Sequence, residues 1–567
     1  MRIGIDVGGT NTDAVLLDGD TVLAAVKSPT TPDVTGGIVT AVRTVLADSG
    51  ASPGAVTAVM IGTTQFVNAL VEGDRLAPTA AVRLGLPATA ALPPMSDWPA
   101  RLRTALSGGT GTPDTGTPGT GTPGTGAARD AAGPAVYLCD GGHEYDGRPI
   151  TPIDPAQLRR TAADIAARGV RSVAICAVFS PVTAEAEEQA ARILTEELGD
   201  GVHLSLSHQI GRVGLLPREN ATIVNAALRD LADTVVDAFG SALAEAGIGA
   251  PLFLSQNDGT LMDVEYARRH PVATFASGPT NSMRGAAYLS CLTDCAVVDV
   301  GGTTADVGIL AGGFPREAAG ESETAGVRTN FRIPDVLSLG IGGGSLVDLD
   351  APSVGPRSVG YRLTEDALVF GGRTVTPTDL AVAAGHARIG DPGRAAHLDP
   401  GRVRAALAHI AERIADTVDR MRTSPAPLPI VAVGGGSVLL APGDSGAPGD
   451  SGDLGDPGMA GGLPGFPDLR RPAHFAVANA IGAAIAQVGG EVDRVYQIPP
   501  GRRDTVLDEA REQAVRAAEN AGARPGTVTI VDVEEVPLAY LPGGATRVRV
   551  KAVGDLDPRR LEGTPHA

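Results

Sequence analysis

The sequence predicts an α/β protein made of two duplicated lobes, mixed sheets flanked by helices, which meet at a cleft and are followed by a small C-terminal α/β module. Three observations predict it. Two octapeptides, Asp6-Val-Gly-Gly-Thr-Asn-Thr-Asp13 and Asp299-Val-Gly-Gly-Thr-Thr-Ala-Asp306, agree at six of eight positions. Each has an apolar run before it (Arg2-Ile-Gly-Ile5; Cys295-Ala-Val-Val298) and another after it (Ala14-Val-Leu-Leu17; Val307-Gly-Ile-Leu310), which reads as strand, glycine turn, strand. Strand and helix patterns alternate through the rest of a chain of 567 residues, more than one compact core usually holds. The expected divisions are 1–215 for the first lobe, 216–495 for the second and 496–567 for the terminal module.

After the first hairpin a helix is expected from about Asp33 to Ser49, and Ala58–Leu70 reads as strand, polar loop, helix. Residues 108–126 repeat Gly, Thr and Pro without apolar residues and are expected to be a disordered insertion. A helix capped by Asp154-Pro155, a strand Ser172–Phe179, a helix Thr183–Leu198 and a strand His203–Ile210 continue the α/β pattern. Pro217–Ala246 places Ile223, Val224, Ala227, Leu228, Leu231, Val235 and Phe239 at helical spacing, long enough to cross between lobes. His208, Arg212, Arg218 and Asn220 lie near its entrance, within reach of a substrate or simply solvated. Further helices are expected near Pro377–His386, Gly401–Arg422 and Pro472–Val488. A second Pro/Gly/Asp-rich insertion covers 441–467, and strands Thr527–Val533 and Thr546–Ala552 follow a last helix. In Ala480-Ile-Gly-Ala-Ala-Ile-Ala486 small side chains let a helix approach another backbone, as a hinge or as plain packing.

The paired glycines of each hairpin remove Cβ atoms that would keep an anion from the backbone N–H groups, and threonine hydroxyls add donors. A nucleotide triphosphate fits such a pair of turns. The expected phosphate contacts are Gly8, Gly9, Thr10, Asn11 and Thr12 in the first, and Gly301, Gly302, Thr303 and Thr304 in the second. Asp6 and Asp299 are hard oxygen ligands, direct or through water, for the Mg²⁺ (or Mn²⁺) that accompanies ATP, and also orient the attacking group. With Thr10 and Thr303 they make the expected catalytic set. Asp13 and Asp306 brace the hairpins or act chemically. No Gly-Lys-Ser/Thr follows either turn and a strand, not a helix, comes next, which excludes a P-loop and a dinucleotide-binding fingerprint. The pair resembles the actin, Hsp70 and sugar-kinase superfamily of ATPases, and Ile430-Val-Ala-Val-Gly-Gly-Gly-Ser437 matches its adenosine segment. That resemblance implies nucleotide contacts from Gly434, Gly435, Gly436 and Ser437. The glycine turn in Leu337–Ser345 adds Gly342, Gly343 and Gly344.

A net charge of −19, from 46 Lys+Arg against 65 Asp+Glu with no basic cluster, argues against nucleic acid or anionic membrane as partner. Four cysteines and no long apolar span lead to the expectation of a soluble cytoplasmic protein. Cys291 and Cys295 are expected to be packed thiols, not zinc ligands.

Taken together, Ile5–Asp13, Gly62-Thr-Thr-Gln-Phe-Val-Asn-Ala-Leu70, Val178-Phe-Ser-Pro-Val182, Glu219-Asn-Ala-Thr-Ile-Val-Asn225, Ser255-Gln-Asn-Asp-Gly259, Ser277-Gly-Pro279, Asp299–Asp306 and Gly340-Ile-Gly-Gly-Gly-Ser345 resemble the A-subunit family of ATP-dependent hydantoinases and 5-oxoprolinases. The resemblance implies an ATP-dependent hydrolase subunit that activates the carbonyl of a cyclic amide or imide by phosphoryl transfer, working with a hydantoinase B-like partner chain and as a possible homo-oligomer. Positioning and charge neutralisation carry such a reaction, each well-aimed donor contributing about 3–4 kcal/mol. Substrate contacts are expected from Thr63, Thr64, Asn68, Asn257 and Ser277; the two threonines also read as an ordinary helix cap. Where the family often has His-Gly-Thr-Thr this chain has Ile61-Gly-Thr-Thr64, so no histidine role transfers. A small-molecule kinase of the same superfold and an ATP-driven activator of a partner enzyme remain the alternatives.

Overall fold

The computed structural model describes residues 1–9, 11–29, 34–107, 133–318, 320–350, 353–440, 463–539, 541 and 544–557. Thr10, the 108–126 insertion and residues 441–462 lie outside the described residues.

The α/β duplication is present strand for strand. In the first lobe Arg2–Val7 pairs antiparallel with Asn11–Asp18 and parallel with Ala58–Thr63. In the second, Cys295–Val300 pairs antiparallel with Ala305–Ala311 and parallel with Ile430–Val433. Both copies share one register: Asp6 faces Asp13 and Asp299 faces Asp306. Central strands of this kind are buried on both faces, which is why they read as unbroken apolar runs; all six residues of Ala58–Thr63 are buried. Between the two halves Thr79–Leu86, Ala135–Asp140, Ser172–Ala177 and His203–Leu206 form a separate four-stranded parallel sheet. Helices Pro155–Ala167 and Glu185–Leu198 cover it, the first capped by the Asp154 carboxylate accepting from the Ala156 N–H at 2.9 Å.

The sheets do not respect the expected domain boundaries. The first-lobe sheet has nine strands, in the order Thr529–Pro537, Ala545–Gly554, Gln487–Gln497, Thr260–Asp263, Leu252–Ser255, Ala58–Thr63, Arg2–Val7, Asn11–Asp18 and Thr21–Pro29. The last segment of the chain therefore extends this sheet and is not a free-standing module over 496–567. Helix Arg503–Asn520 packs Leu507, Ala510, Ala514 and Ala518 against the same strands. Across the expected division at 215/216, many of the buried apolar residues of 221–275 pack into the first-lobe core.

Pro217–Ala246 is two helices, Leu215–Ala227 and Arg229–Glu245, broken at Leu228. Both bury their apolar faces within the first lobe, so no helix crosses between lobes here. Pro472–Val488 also departs from expectation: helix Ala478–Ala484 is short, and the strand Gln487–Gln497 begins inside the expected helix. Leu463 and Phe466, expected to belong to the second insertion, are buried in the second-lobe core. Helix Pro400–Met421 starts as expected, its Asp399 cap accepting from Arg402 N–H at 2.9 Å, and lays Val403, Leu407, Ile410, Ile414 and Val418 on that core. All four cysteines are free thiols; Cys295 is packed as expected, whereas Cys291, which ends helix Ser277–Ser290, is exposed. Among the described residues no helix is long and apolar enough to cross a membrane.

Candidate active site

The two glycine turns close in the same way. The Gly8 N–H donates to the Asn11 carbonyl at 3.0 Å, and the Gly301 N–H to that of Thr304 at 2.8 Å. Gly9 has open space where a Cβ would stand, and Gly301 has nothing nearer than 3.5 Å, so each turn leaves room for an anion at its backbone. On the neighbouring parallel strand of each lobe a glycine clears space for the leading aspartate. A Cβ on Gly62 would lie 2.7 Å from Asp6 Oδ1, and one on Gly434 would lie 2.2 Å from Asp299 Oδ1. Gly434 also has φ +80, a conformation glycine adopts without strain.

Below Asp6 three chain segments meet at van der Waals distance of their backbones. A Cβ on Gly4 would collide with the Ala480 carbonyl oxygen, one on Gly285 with that of Ala478, and one on Gly482 with that of Asn281. The stretch of small residues around Gly482 thus packs helix Ala478–Ala484 against both the strand carrying Asp6 and helix Ser277–Ser290.

Asp6 is 6% exposed. Its Oδ2 accepts from Asn479 Nδ2 at 2.8 Å, while Oδ1 has no hydrogen-bond partner. Burial, reinforced by the charge of Asp13, pushes its carboxyl up to about 7. Burial also raises Asp299, opposed by a hydrogen bond from Ser282 and by the charge of Lys27. The Asp299 charge acts on Asp6 as well, so the leading aspartates of the two lobes share one electrostatic environment. Asp13 is buried and bonded through both oxygens to Lys27, whereas burial lifts Asp306, bonded by Ser338, to about 6. Both amide atoms of Asn281, beside Asp6 at Gly62, are likewise buried without partners, as are Thr12 Oγ1 in the first lobe and Ser437 Oγ in the second. Buried polar atoms in native proteins are almost always satisfied, so a group of orphans from both lobes fits a polar ligand held among them.

The Gly342–Gly344 turn is a brace. The Gly342 N–H donates to Ser345 Oγ at 2.9 Å, that of Gly343 to the Gly301 carbonyl at 2.9 Å and that of Gly344 to the Gly302 carbonyl at 2.7 Å. With all three donors engaged, this turn fixes the second hairpin from behind and has no N–H left for a phosphate. Gly435, Gly436 and Ser437 follow Gly434 in a short 3₁₀ turn; Thr303 is exposed at the tip of its hairpin, and Thr304 half-buried beside it.

Of the expected substrate residues, Thr63, Thr64, Asn68 and Ser277 come together. The Ser277 hydroxyl donates to the Thr63 carbonyl at 3.3 Å, the Thr64 N–H to the Val7 carbonyl at 3.4 Å, and Asn68 Nδ2 to Thr64 Oγ1 at 3.4 Å. Asn257 stands apart, in the turn after Leu252–Ser255, joined to the group by the Thr280 hydroxyl on its carbonyl at 2.8 Å.

Three residues were not among the expected site set. Lys27 pairs with Asp13 across the hairpin strands, and its Cε lies 3.5 Å from where a Cβ on Gly435 would stand, so it reaches the opposite lobe. Asn281 and Asn479 project from otherwise small-residue helices toward Asp6. Isolated asparagines in such helices are a weak signal, and strand register was needed to put Lys27 beside Asp13.

Family models for the hydantoinase/oxoprolinase N-terminal region and for hydantoinase/oxoprolinase match residues 2–198 and 218–425, carrying both hairpins between them. The chain belongs to the hydantoinase/oxoprolinase family. Within that family it is 26% identical to the caprolactamase subunit alpha of Pseudomonas jessenii, over 68% of this chain and 54% of that one. It is also 26% identical to the acetophenone carboxylase gamma subunit of Aromatoleum aromaticum, over 68% of this chain and 53% of the other. The chain thus spans about half the length of these two curated relatives. The crystal structure of the ATP-dependent caprolactamase from Pseudomonas jessenii superimposes with a TM-score of 0.72 at 18% identity, covering 98% of this chain and 88% of that one, which establishes a shared fold.

Proposed function

We propose that this hydantoinase/oxoprolinase chain is the nucleotide-binding subunit of an ATP-dependent cyclic amide hydrolase. Its substrate is a hydantoin, 5-oxoproline or related lactam or imide, and a B-type partner chain completes the reaction. The observation that carries this reading is the pair of matched hairpins whose leading aspartates, Asp6 and Asp299, feel each other's charge, with Lys27 reaching from one lobe to the other. Two lobes that each offer a glycine turn to one space suit a polyphosphate held between them.

ATP, when bound, supplies the phosphoryl group that makes an amide carbonyl a better electrophile. The residues present fit Mg²⁺ or Mn²⁺ as its counter-ion: Asp6 Oδ1 is an unpartnered buried carboxylate oxygen, and the charge of Asp299 acts on the same carboxyl. No group of three or more His, Cys, Asp or Glu side chains gathers to hold a metal among the described residues. That suits an ion bound by one or two carboxylates together with phosphate oxygens and water, as is usual for Mg²⁺. Backbone groups of the two glycine turns would neutralise phosphate charge, Thr12 adds a hydroxyl, and Lys27 adds a full positive charge. Thr63, Thr64 and Ser277, joined to the first hairpin through the Thr64 N–H on the Val7 carbonyl, would orient the carbonyl compound. Asn479, bonded to Asp6 Oδ2, fixes the direction of that carboxylate. Relatives that carry subunit designations support a separate partner chain, and four free thiols suit a cytoplasmic location.

Purified chain incubated with ATP and a panel of lactams and hydantoins, with and without a B-like chain, tests the proposal. ATP loss coupled to ring opening is expected. A stable phosphorylated product would instead make the chain a small-molecule kinase.

A further inference from the structure

A cavity of about 610 Å³ lies away from the hairpins, against the nine-stranded sheet, and reaches Ala517 and Asn520 at the end of helix Arg503–Asn520. Its floor is formed by Thr260–Asp263 and Gly489–Arg494, and its walls by residues 208–212 and by Phe331 and Arg332. Strand alternation explains its charge. On Gln487–Gln497 the residues Val488 and Val492 face the helix, which turns Glu491 and Asp493 to the other face, in register with Lys551 and Arg549 of the neighbouring strand and toward Arg332.

The carboxylates on this side are already fully engaged. Asp493 accepts from Arg547 Nε at 2.7 Å, Arg547 Nη2 at 2.6 Å and Arg332 Nη2 at 2.9 Å. Glu317 is bonded by Arg549 and by Arg212 Nη2 at 3.1 Å, and Glu491 pairs with Arg332. Donors are nevertheless left over. Arg332 Nη1 and Arg212 Nε are buried without a hydrogen-bond acceptor, Arg212 Nε standing 3.8 Å from Asp493 Oδ2, on side chains only 11% and 17% exposed. Burial, with Arg549 and Arg212 nearby, brings the Arg332 guanidinium down to about 9, the mark of a cation incompletely compensated by its surroundings.

His208 stands in the same wall. Its Nδ1 lies 2.7 Å from Glu187 Oε2, and Glu187 is fully buried, accepting also from the His208 N–H at 3.0 Å, the Ala177 N–H at 2.8 Å and the Ser207 hydroxyl. Burial alone would raise the Glu187 carboxyl, but hydrogen bonds from His208 and Ser207 hold it below its usual range. An ionised Glu187 makes Nδ1 the donor and leaves Nε2 for a ligand.

We propose that this cavity is a second ligand site, for a small organic carboxylate. The free N–H groups of Arg332 and Arg212 take the carboxylate, and His208, fixed by Glu187, takes a polar group of the same molecule. Guanidinium groups with spare donors match carboxylate oxygens in geometry and charge. The site rests on the ring-opening reading only for the source of the carboxylate: one borne by the cyclic amide, or the one released when the ring opens. Asn257 lines the cavity and is tied by a hydrogen bond from Thr280 to the helix whose Ser277 hydroxyl bonds the Thr63 carbonyl.

Calorimetric titration of the full chain tests this, using 5-oxoproline as a carboxylated lactam, glutamate as a ring-opened carboxylate and caprolactam as a neutral lactam, each with and without a magnesium–ATP analogue. At least one carboxylate is expected to bind about tenfold or more tightly than caprolactam, a comparison made on the wild-type chain and independent of any variant's folding. Preference for 5-oxoproline marks the substrate as the source; preference for glutamate marks the product. Arg332→Gln and Arg212→Gln should each weaken the carboxylate about tenfold while nucleotide affinity stays within about twofold. Equal binding of carboxylates and caprolactam, no carboxylate binding to wild type, or unchanged binding in both variants would overturn the site. Failure of the wild-type chain to bind nucleotide would count against the proposed function instead.

Discussion

Lys27 donates to both carboxylate oxygens of Asp13, at 2.8 and 2.6 Å, while its Cε comes within 3.5 Å of the space above Gly435 in the other lobe. A single cation is thereby bonded to the first hairpin and placed at the rim of the second lobe's glycine turn. Its charge also acts on Asp6 and on Asp299. Lys27→Met should lower ATP turnover about 100-fold, the scale of a lost donor to transferring phosphate. Lys27→Arg, which keeps the charge, should retain most nucleotide affinity. Steady-state ATPase assays beside a thermal melt separate this from unfolding; normal turnover by a folded Met variant would remove Lys27 from the site.

Asp6→Asn and Asp299→Asn should each abolish ATP turnover and leave the fold intact. Both carboxylates are raised by burial, so removing either charge costs the folded chain nothing in desolvation. Circular dichroism melts and ADP release check the two halves of this expectation, and full activity in either variant would contradict the assignment of these residues to the metal.

Gly434→Ala should be severe. The new methyl group would stand 2.2 Å from Asp299 Oδ1 and 2.5 Å from the Val300 carbonyl, at φ +80. A loss on the order of 3 kcal/mol in urea unfolding is expected, together with loss of nucleotide affinity. Gly9→Ala, which meets open space, should leave stability nearly unchanged and perturb only nucleotide binding.

Asp258 and Lys551 join the turn after Leu252–Ser255 to the C-terminal hairpin at 2.9 Å, both side chains largely buried. Desolvation opposes the Asp258 charge, but Lys551 and Thr260 outweigh it and bring the carboxyl from 3.8 down to about 2. A depressed carboxyl stabilises the fold above its unfolded value and loses that contribution as pH falls through its folded value. About 2 kcal/mol is therefore present above pH ~4 and is lost between pH ~4 and ~2. Asp258→Asn should flatten acid unfolding in that window; an unchanged acid limb would show that the pair contributes nothing.

Much of the fold was legible because its signals are local. The twin hairpins, the Asp154 cap and the helix expected at Gly401–Arg422 each announce themselves within a few residues, and each stands close to where the pattern puts it. What escaped depends on contacts distant in sequence. The strand Gln487–Gln497 alternates charged and apolar residues because one face packs on a helix and the other on arginines from three separate segments, a pattern that reads as neither a surface helix nor an ordinary edge strand. Leu228 carries an apolar side chain like its neighbours, so the break between its flanking helices has no mark in composition. At the site, the glycines of both hairpins and Asp6 were readable from the repeat, but the Gly342–Gly344 turn was not distinguishable from a phosphate loop. Its donors are consumed by carbonyls of Gly301 and Gly302, residues about forty positions earlier in the chain.

The most direct measurement is a crystal structure of the chain with a magnesium–ATP analogue. Polyphosphate density within hydrogen-bond reach of backbone N–H groups in both the Gly8–Gly9 and Gly301–Gly302 turns, with the ion on Asp6 or Asp299, is the expected result. Nucleotide held by one turn alone, or bound elsewhere on the surface, would contradict it.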